Sequence, residues 1–346
     1  MLQSVMLRAL AILALGFAAV PALAAERPAK ELFGAEPRPA ALSSEPIGFY
    51  SRGCMAGAVQ LPPDGPYWQA MRLSRNRQWG LPILVDFIVK LAQDAATNDG
   101  WPGLLVGDMA QPRGGPMLTG HASHQVGLDA DIWLNPMPPR RLSEREREDI
   151  SAIEMTEPGP HEVHENRWTP QHGRLIRRAA LDPRVERIFV APGIKKKLCE
   201  TAGTDRRWLS KVRPYYGHNY HFHVRLSCPP GARCKAQAAP PPGDGCGADL
   251  DYWYSAEPYK APPKPDKPVK PKEIMLSELP PACRTVLNAD PIPGTVTMRE
   301  AFALKIGVGG NMPANSGLAF VEAADPAASF PEIGTARLPR PRPEGR

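Results

Sequence analysis

Leu84, Phe87, Ile88, Leu91 and Ala95 recur at the 3.6-residue spacing of one helix face, and the pattern stops at Asn98-Asp99-Gly100. This predicts a helix over 81–97. Further along, apolar or alternating runs predict strands at 103–107, 127–134, 186–190 and 219–226, and helices at 172–181, 193–202 and 205–211. A Gly/Pro loop covers 112–120, and Ser143 followed by Glu146 has the form of a capping box opening a short charged helix. Mixed segments with few parallel crossover units predict an α+β fold, a single disulfide-stapled domain with helices packed around a small antiparallel sheet.

The ends of the chain have a different texture. Arg8, an apolar run over 9–20 and Ala22-Leu23-Ala24 form a secretory signal peptide over 1–24, with cleavage before Ala25. Its apolar core is shorter than the roughly 20 residues a spanning helix needs. No later stretch is long and apolar enough to span, so the mature protein is expected to be soluble. Residues 25–46 read as an N-terminal extension and 47–255 as the folded domain. From 256 to 272 a Pro/Lys-rich stretch reads as an extended linker, and 291–346, rich in Pro and Ala, as a disordered tail.

The net charge is +6, from 42 Lys and Arg against 36 Asp and Glu. The basic residues are scattered and no aromatic-basic motif stands out, which argues against nucleic acid. For an exported protein, the charge suits attraction to an anionic polymer. The six cysteines, at 54, 199, 228, 234, 246 and 283, include no CxxC pair, and an even number in an oxidising compartment points to disulfides. Cys228 and Cys234 are close enough to close a small loop; the remaining pairing is open. Any metal is therefore left to histidine and carboxylate.

Five of the eight histidines fall in two short clusters, GHASHQVGLDADIW (120–133) and the second half of KVRPYYGHNYHFHVRL (211–226). On a strand, His221 and His223 share a face, and so do Asp129, Asp131 and Trp133. Two His and one Asp make a three-ligand zinc site with a position left open for water, the arrangement of a catalytic centre. Asp129 and Asp131 compete for the carboxylate role. His161 and His164 are three apart beside Gly159-Pro160, so they do not form the four-apart zincin pair. Gly107-Asp108 is expected at the cleft rim, and Arg75 and Arg77, like Arg206 and Arg213, are candidates to grip substrate carboxylates.

These clusters, together with GDGCGA (243–248), resemble the penicillin-insensitive murein endopeptidases, within the zinc peptidase group that also contains lysostaphin-type enzymes, D-Ala-D-Ala metallopeptidases and the hedgehog domain. The resemblance runs from about Ile47 to the Cys283 region. It implies that His124, Asp131 and His223 hold zinc, that His221 is the catalytic base, and that His121 and His218 line the site. It also implies the pairs Cys54–Cys283, Cys199–Cys246 and Cys228–Cys234, which would make 273–290 a strap tied back to the start of the domain. The implied activity is hydrolysis of D-alanyl–meso-diaminopimelyl cross-links between peptidoglycan stem peptides in the periplasm. Zinc-activated water attacks, His221 moves the proton, and His218 helps zinc stabilise the oxyanion. No Ser or Cys is acylated, so a β-lactam finds no nucleophile. Two alternatives share the site: a D-Ala-D-Ala carboxypeptidase or dipeptidase, and a wall-binding protein without turnover.

Overall fold

The computed structural model describes residues 26–261 and 272–306. The expected signal peptide, most of the Pro/Lys linker and residues 307–346 lie outside the described residues. In chain order, α1 (Ala29–Gly34) precedes β1 (Glu45–Phe49) and β2 (Arg52–Ala56). The short strands β3 (Val59–Gln60), β4 (Asp64–Gly65), β5 (Trp68–Ala70) and β6 (Trp79–Gly80) lead into α2 (Pro82–Asn98). Next come β7 (Leu104–Val106), β8 (Asp129–Trp133), α3 (Glu144–Asp149), α4 (Pro170–Leu181), β9 (Val185–Val190) and α5 (Pro192–Thr201). β10 (Val212–Pro214), β11 (His221–Leu226), α6 (Ala248–Tyr254), α7 (Ala282–Asn288) and α8 (Met298–Ala303) follow within the described residues.

The predicted amphipathic helix is α2. Pro82 stands in its first turn, where a missing N–H costs no helical hydrogen bond, and Leu84, Phe87, Ile88, Leu91 and Ala95 form its buried face. Ser143 and Glu146 close the capping box of α3. The helix expected at 205–211 is a tighter 3-10 turn, Arg207–Lys211.

Seven strands pair in the order β10-β9-β11-β8-β7-β5-β4. The class is α+β, but the sheet is not the small antiparallel one expected. β9 with β10, and β5 with β7, run parallel, while β11 is antiparallel to both β8 and β9. Parallel neighbours need a crossover connection. α5 carries the chain from β9 to β10, and α2 lies on the path from β5 to β7. Ile132, Phe222 and Val224 of the central strands pack with α2 and α4 residues in the main core. The alternate positions of the same strands are thereby turned to the opposite face.

Disulfides join Cys54 to Cys283, Cys199 to Cys246 and Cys228 to Cys234. The first ties β2 to α7 across 229 residues of sequence. Around it, Ala29, Phe33, Ala40, Ile47 and Val286 form a second apolar cluster, so residues 26–46 are part of the packed body. Arg113 reaches out from the domain to donate to the carbonyls of Val286 (2.9 Å), Leu287 (2.6 Å) and Ala289 (2.7 Å), satisfying the end of α7. The tail expected to be disordered from 291 is structured as far as 306: Thr297 and Glu300 cap α8, and Met298 is fully buried. A helix of six residues is too short to show periodicity in sequence. Among the described residues, no helix is long and apolar enough to cross a membrane.

Candidate metal centre

The register of β8 against β11 sets His223 opposite Asp131, His221 opposite Trp133 and Arg225 opposite Asp129. Because every second side chain of a strand shares a face, all six stand on the side of the sheet away from the core. His124 approaches from the loop before β8 with a left-handed backbone, φ 64°. Only its surroundings hold a residue with a side chain there. The His124 N–H donates to Asp129 Oδ2 (3.1 Å), and its Nδ1 pairs with the Met109 carbonyl (2.9 Å).

Three imidazole nitrogens then face one carboxylate oxygen. His124 Nε2, His221 Nε2 and His223 Nδ1 lie 3.4, 3.5 and 3.6 Å from Asp131 Oδ1. His121 Nδ1 faces the other oxygen, Oδ2, at 3.5 Å. His121, His124 and Asp131 offer ligand atoms within 4.8 Å of one another. His124 Nε2 and Asp131 Oδ1 are buried without a hydrogen-bond partner, an arrangement that costs free energy unless a cation completes it. The spacing suits one: bonds of about 2.0–2.1 Å in a tetrahedron place neighbouring ligand atoms about 3.3 Å apart.

The far side of each ring distinguishes the histidines. A carbonyl only accepts, so Met109 fixes His124 with its proton on Nδ1 and the Nε2 lone pair inward. His223 Nε2 pairs with Asp129 Oδ1 at 2.9 Å, which leaves Nδ1 facing Asp131. Asp129, fully buried, also accepts from Arg225 Nε at 2.7 Å. His221 Nδ1, by contrast, is buried and has no partner. His218 Nδ1 donates to the Tyr216 carbonyl, so its neutral ring presents Nε2 as an acceptor.

Burial opposes ionisation of Asp131, but His221, His124 and His121 hold its carboxyl well below the usual range. Burial likewise opposes Asp129, and Arg225 with His223 outweighs it, keeping the group ionised. His223 is pushed down to about 4 by burial, against the charge of Asp129. His218 and His221 are also lowered, mainly by burial. These rings are thus neutral at neutral pH, as metal ligands and bases must be. His121 goes the other way: burial resists, but Asp131 and Asp108 raise it.

Beside the cluster opens a cleft of about 280 Å³ lined by Arg72, Arg75, Asp108, Trp133, Tyr220 and His221 among others. Asp108 is a buried hub, not a plain rim residue. Its Oδ2 accepts from Arg75 (3.0 Å), Arg77 (2.9 Å) and His121 (3.0 Å). Sequence reasoning missed this link and the part played by Arg225. Arg225 stood within the second histidine cluster at the strand alternation of His221 and His223, which was a usable signal. The Met109 carbonyl, being backbone, left none. Arg206 and Arg213, the other pair of candidate carboxylate grips, instead meet Asp244 and Asp249 around the Cys199–Cys246 disulfide.

A family model described as penicillin-insensitive murein endopeptidase matches residues 46–288. A protein of that name from Haemophilus influenzae is 46% identical over 247 residues, 71% of this chain and 83% of the relative. Those of Klebsiella pneumoniae and Yersinia enterocolitica are each 44% identical, covering 71% and 72% of this chain and 87% and 88% of their own. The match runs from β1 through α7 and so takes in both histidine-bearing strands and the loops that fix them. This chain belongs to the penicillin-insensitive murein endopeptidase family.

Proposed function

We propose that this chain is a periplasmic zinc endopeptidase that hydrolyses the D-alanyl–meso-diaminopimelyl cross-links of murein. The observation that carries the reading is the division of labour around Asp131 Oδ1. His124 and His223 have their far nitrogens anchored and their lone pairs turned inward, as ligands require, whereas His221 has an unanchored Nδ1 and is free to move a proton. His121 faces the other carboxylate oxygen and Asp108, so it is assigned to orienting Asp131.

His124 Nε2, Asp131 Oδ1 and His223 Nδ1 would hold a zinc ion, which would supply Lewis acidity to acidify water and polarise the scissile carbonyl. His221 Nε2 accepts the proton of the attacking water and passes it to the departing amine. His218, with its proton committed to Tyr216, accepts a hydrogen bond from a substrate N–H. Arg75 stands in the cleft wall with its side chain 48% exposed, offering a guanidinium to the carboxylates of a stem peptide. No side chain forms a covalent intermediate.

The layout fits this work. Signal-directed export over residues 1–24 brings the chain to a compartment in which three disulfides persist. Residues 273–290 serve as a strap, since Cys54–Cys283 ties them back to the start of the domain. The partners are stem-peptide cross-links, not nucleic acid. Incubating the zinc-loaded protein with a purified cross-linked muropeptide dimer tests the reading. Two monomers without free D-alanine are expected. Release of D-alanine from an intact dimer would favour a carboxypeptidase, and an intact dimer with no product a wall-binding protein.

A further inference from the structure

Helix α8 lies beyond the residues matched by the family model, which end at 288, and packs behind the turn Leu73–Arg75, whose Arg75 lines the cleft. Its first residue, Met298, is fully buried against Ala70 and Leu73. The Met298 N–H donates to Asn76 Oδ1 (3.1 Å), which also receives Trp79 Nε1 (3.0 Å). On either side, Gln60 Nε2 donates to the Val296 carbonyl (3.2 Å) and Arg299 Nε to Glu144 Oε1 (2.6 Å). Phe302 stacks on Arg147 at 4.8 Å. That guanidinium is buried and joins the carbonyls of Ala70 and Leu142, each at 3.0 Å.

What α8 braces is the 3-10 turn Leu73–Arg75. Arg72 before it and Asn76 after it both have left-handed backbones, φ 54° and 51°, which residues with side chains hold only where neighbours impose it. The turn delivers Arg75 to the cleft and Arg77 behind it, and both meet Asp108. From Asp108 the contacts continue to His121 and Asp131. The segment is thus linked to the metal centre through the arginine wall.

We propose that residues 295–304 are a brace that positions the arginine wall of the cleft for an anionic stem peptide, with Met298 and Asn76 as positioning residues. The inference rests on the hydrolase reading above. The brace touches no ligand of the metal centre, because β8, β11 and the Met109 carbonyl hold those. Losing it therefore weakens substrate binding and leaves metal binding in place.

The test compares the full chain with chains ending at 306 and at 293, and with Met298→Ala and Met298→Leu in the full chain. KM and kcat on the muropeptide dimer are read beside bound zinc and Tm. The chain ending at 306 should match the full chain. The chain ending at 293 should keep its zinc, with KM raised about tenfold, the loss of roughly one charge-assisted contact, and kcat changed far less. Met298→Ala should move KM the same way and Met298→Leu, of similar volume, should restore it. If the shorter chain fails to fold, the Met298 pair decides. Unchanged KM in a folded brace variant, or a rise in KM accompanied by loss of both zinc and kcat, would overturn the proposal. A full chain inactive on the dimer with zinc bound would sink the hydrolase reading first, and the brace with it.

Discussion

Replacing Asp129 by asparagine isolates the residue that anchors the centre without facing the metal. Its Oδ1 receives His223 Nε2 (2.9 Å) and Arg225 Nε (2.7 Å), and its Oδ2 receives the His124 N–H (3.1 Å) and Arg225 Nη2 (3.5 Å). Every partner is a donor. An asparagine must therefore turn an NH2 group toward Arg225 and one of the histidines, whichever way the amide is placed. Arg225, 6% exposed, loses its counter-charge, and breaking a buried pair in this way costs about 3–5 kcal/mol. Arg225 keeps Gln237 (2.7 Å) and stacks over Tyr50 at 4.1 Å, which moves the expected loss to the lower end of that range. With either His223 or the His124 backbone no longer held, zinc affinity should fall about 10–100-fold. Chelator competition measures the affinity, and thermal unfolding of the metal-free protein measures stability without the contribution of bound zinc. Adding Arg225→Met should restore stability, because it removes the stranded charge, but not zinc affinity. An Asp129→Asn protein with unchanged zinc affinity and Tm, or a double variant that regains zinc affinity, would refute the reasoning.

Three further outcomes follow from the geometry. His221→Ala should lower kcat about 10²–10⁴-fold while the protein keeps its zinc; activity lost only in proportion to lost metal would contradict the base assignment. Burial pushes Lys195 down to about 7, and its Nζ donates to the Leu209 and Asp244 carbonyls, which a neutral amine also satisfies. An unfolded lysine titrates near 10.4, so between about pH 7 and 10 the unfolded state binds the extra proton and stability rises with pH; urea unfolding should show this slope, and Lys195→Met should flatten it. Replacing Cys54 and Cys283 together by serine opens a link across 229 residues and should cost about 2–5 kcal/mol in denaturant unfolding; a smaller loss would mean the apolar cluster around Phe33 holds the strap unaided.

The elements legible in the sequence were those long enough to show a period or marked by a local signal. α2 has seventeen residues and a clean apolar stripe, and Ser143 and Glu146 announce α3 by themselves. β8 and β11 alternate strictly enough for their polar face to be read, and that alternation alone sets Asp129 with Asp131, and His221 with His223, on shared faces. β1 and β2 went unseen because Pro46, Gly48 and Gly53 interrupt their pattern, and the parallel joints because β5 and β10, one partner of each, have only three residues. α1, α7 and α8 are short helices in Pro-rich surroundings, stable through tertiary packing on Phe33, Cys283 and Met298. The links among Asp108, Arg75 and His121, and between His124 and the Met109 carbonyl, depend on loops brought together in space, for which spacing along the chain carries no signal.

The most direct test of the central claim is muropeptide analysis of purified sacculi treated with the mature protein, with its His223→Ala variant, and with a chelated sample before and after zinc is restored. The account predicts conversion of cross-linked dimers to monomers by the zinc-loaded wild type alone, lost on chelation and regained with zinc. Dimers left intact by a folded, zinc-loaded wild type, or cut equally well by the His223→Ala protein, would contradict it.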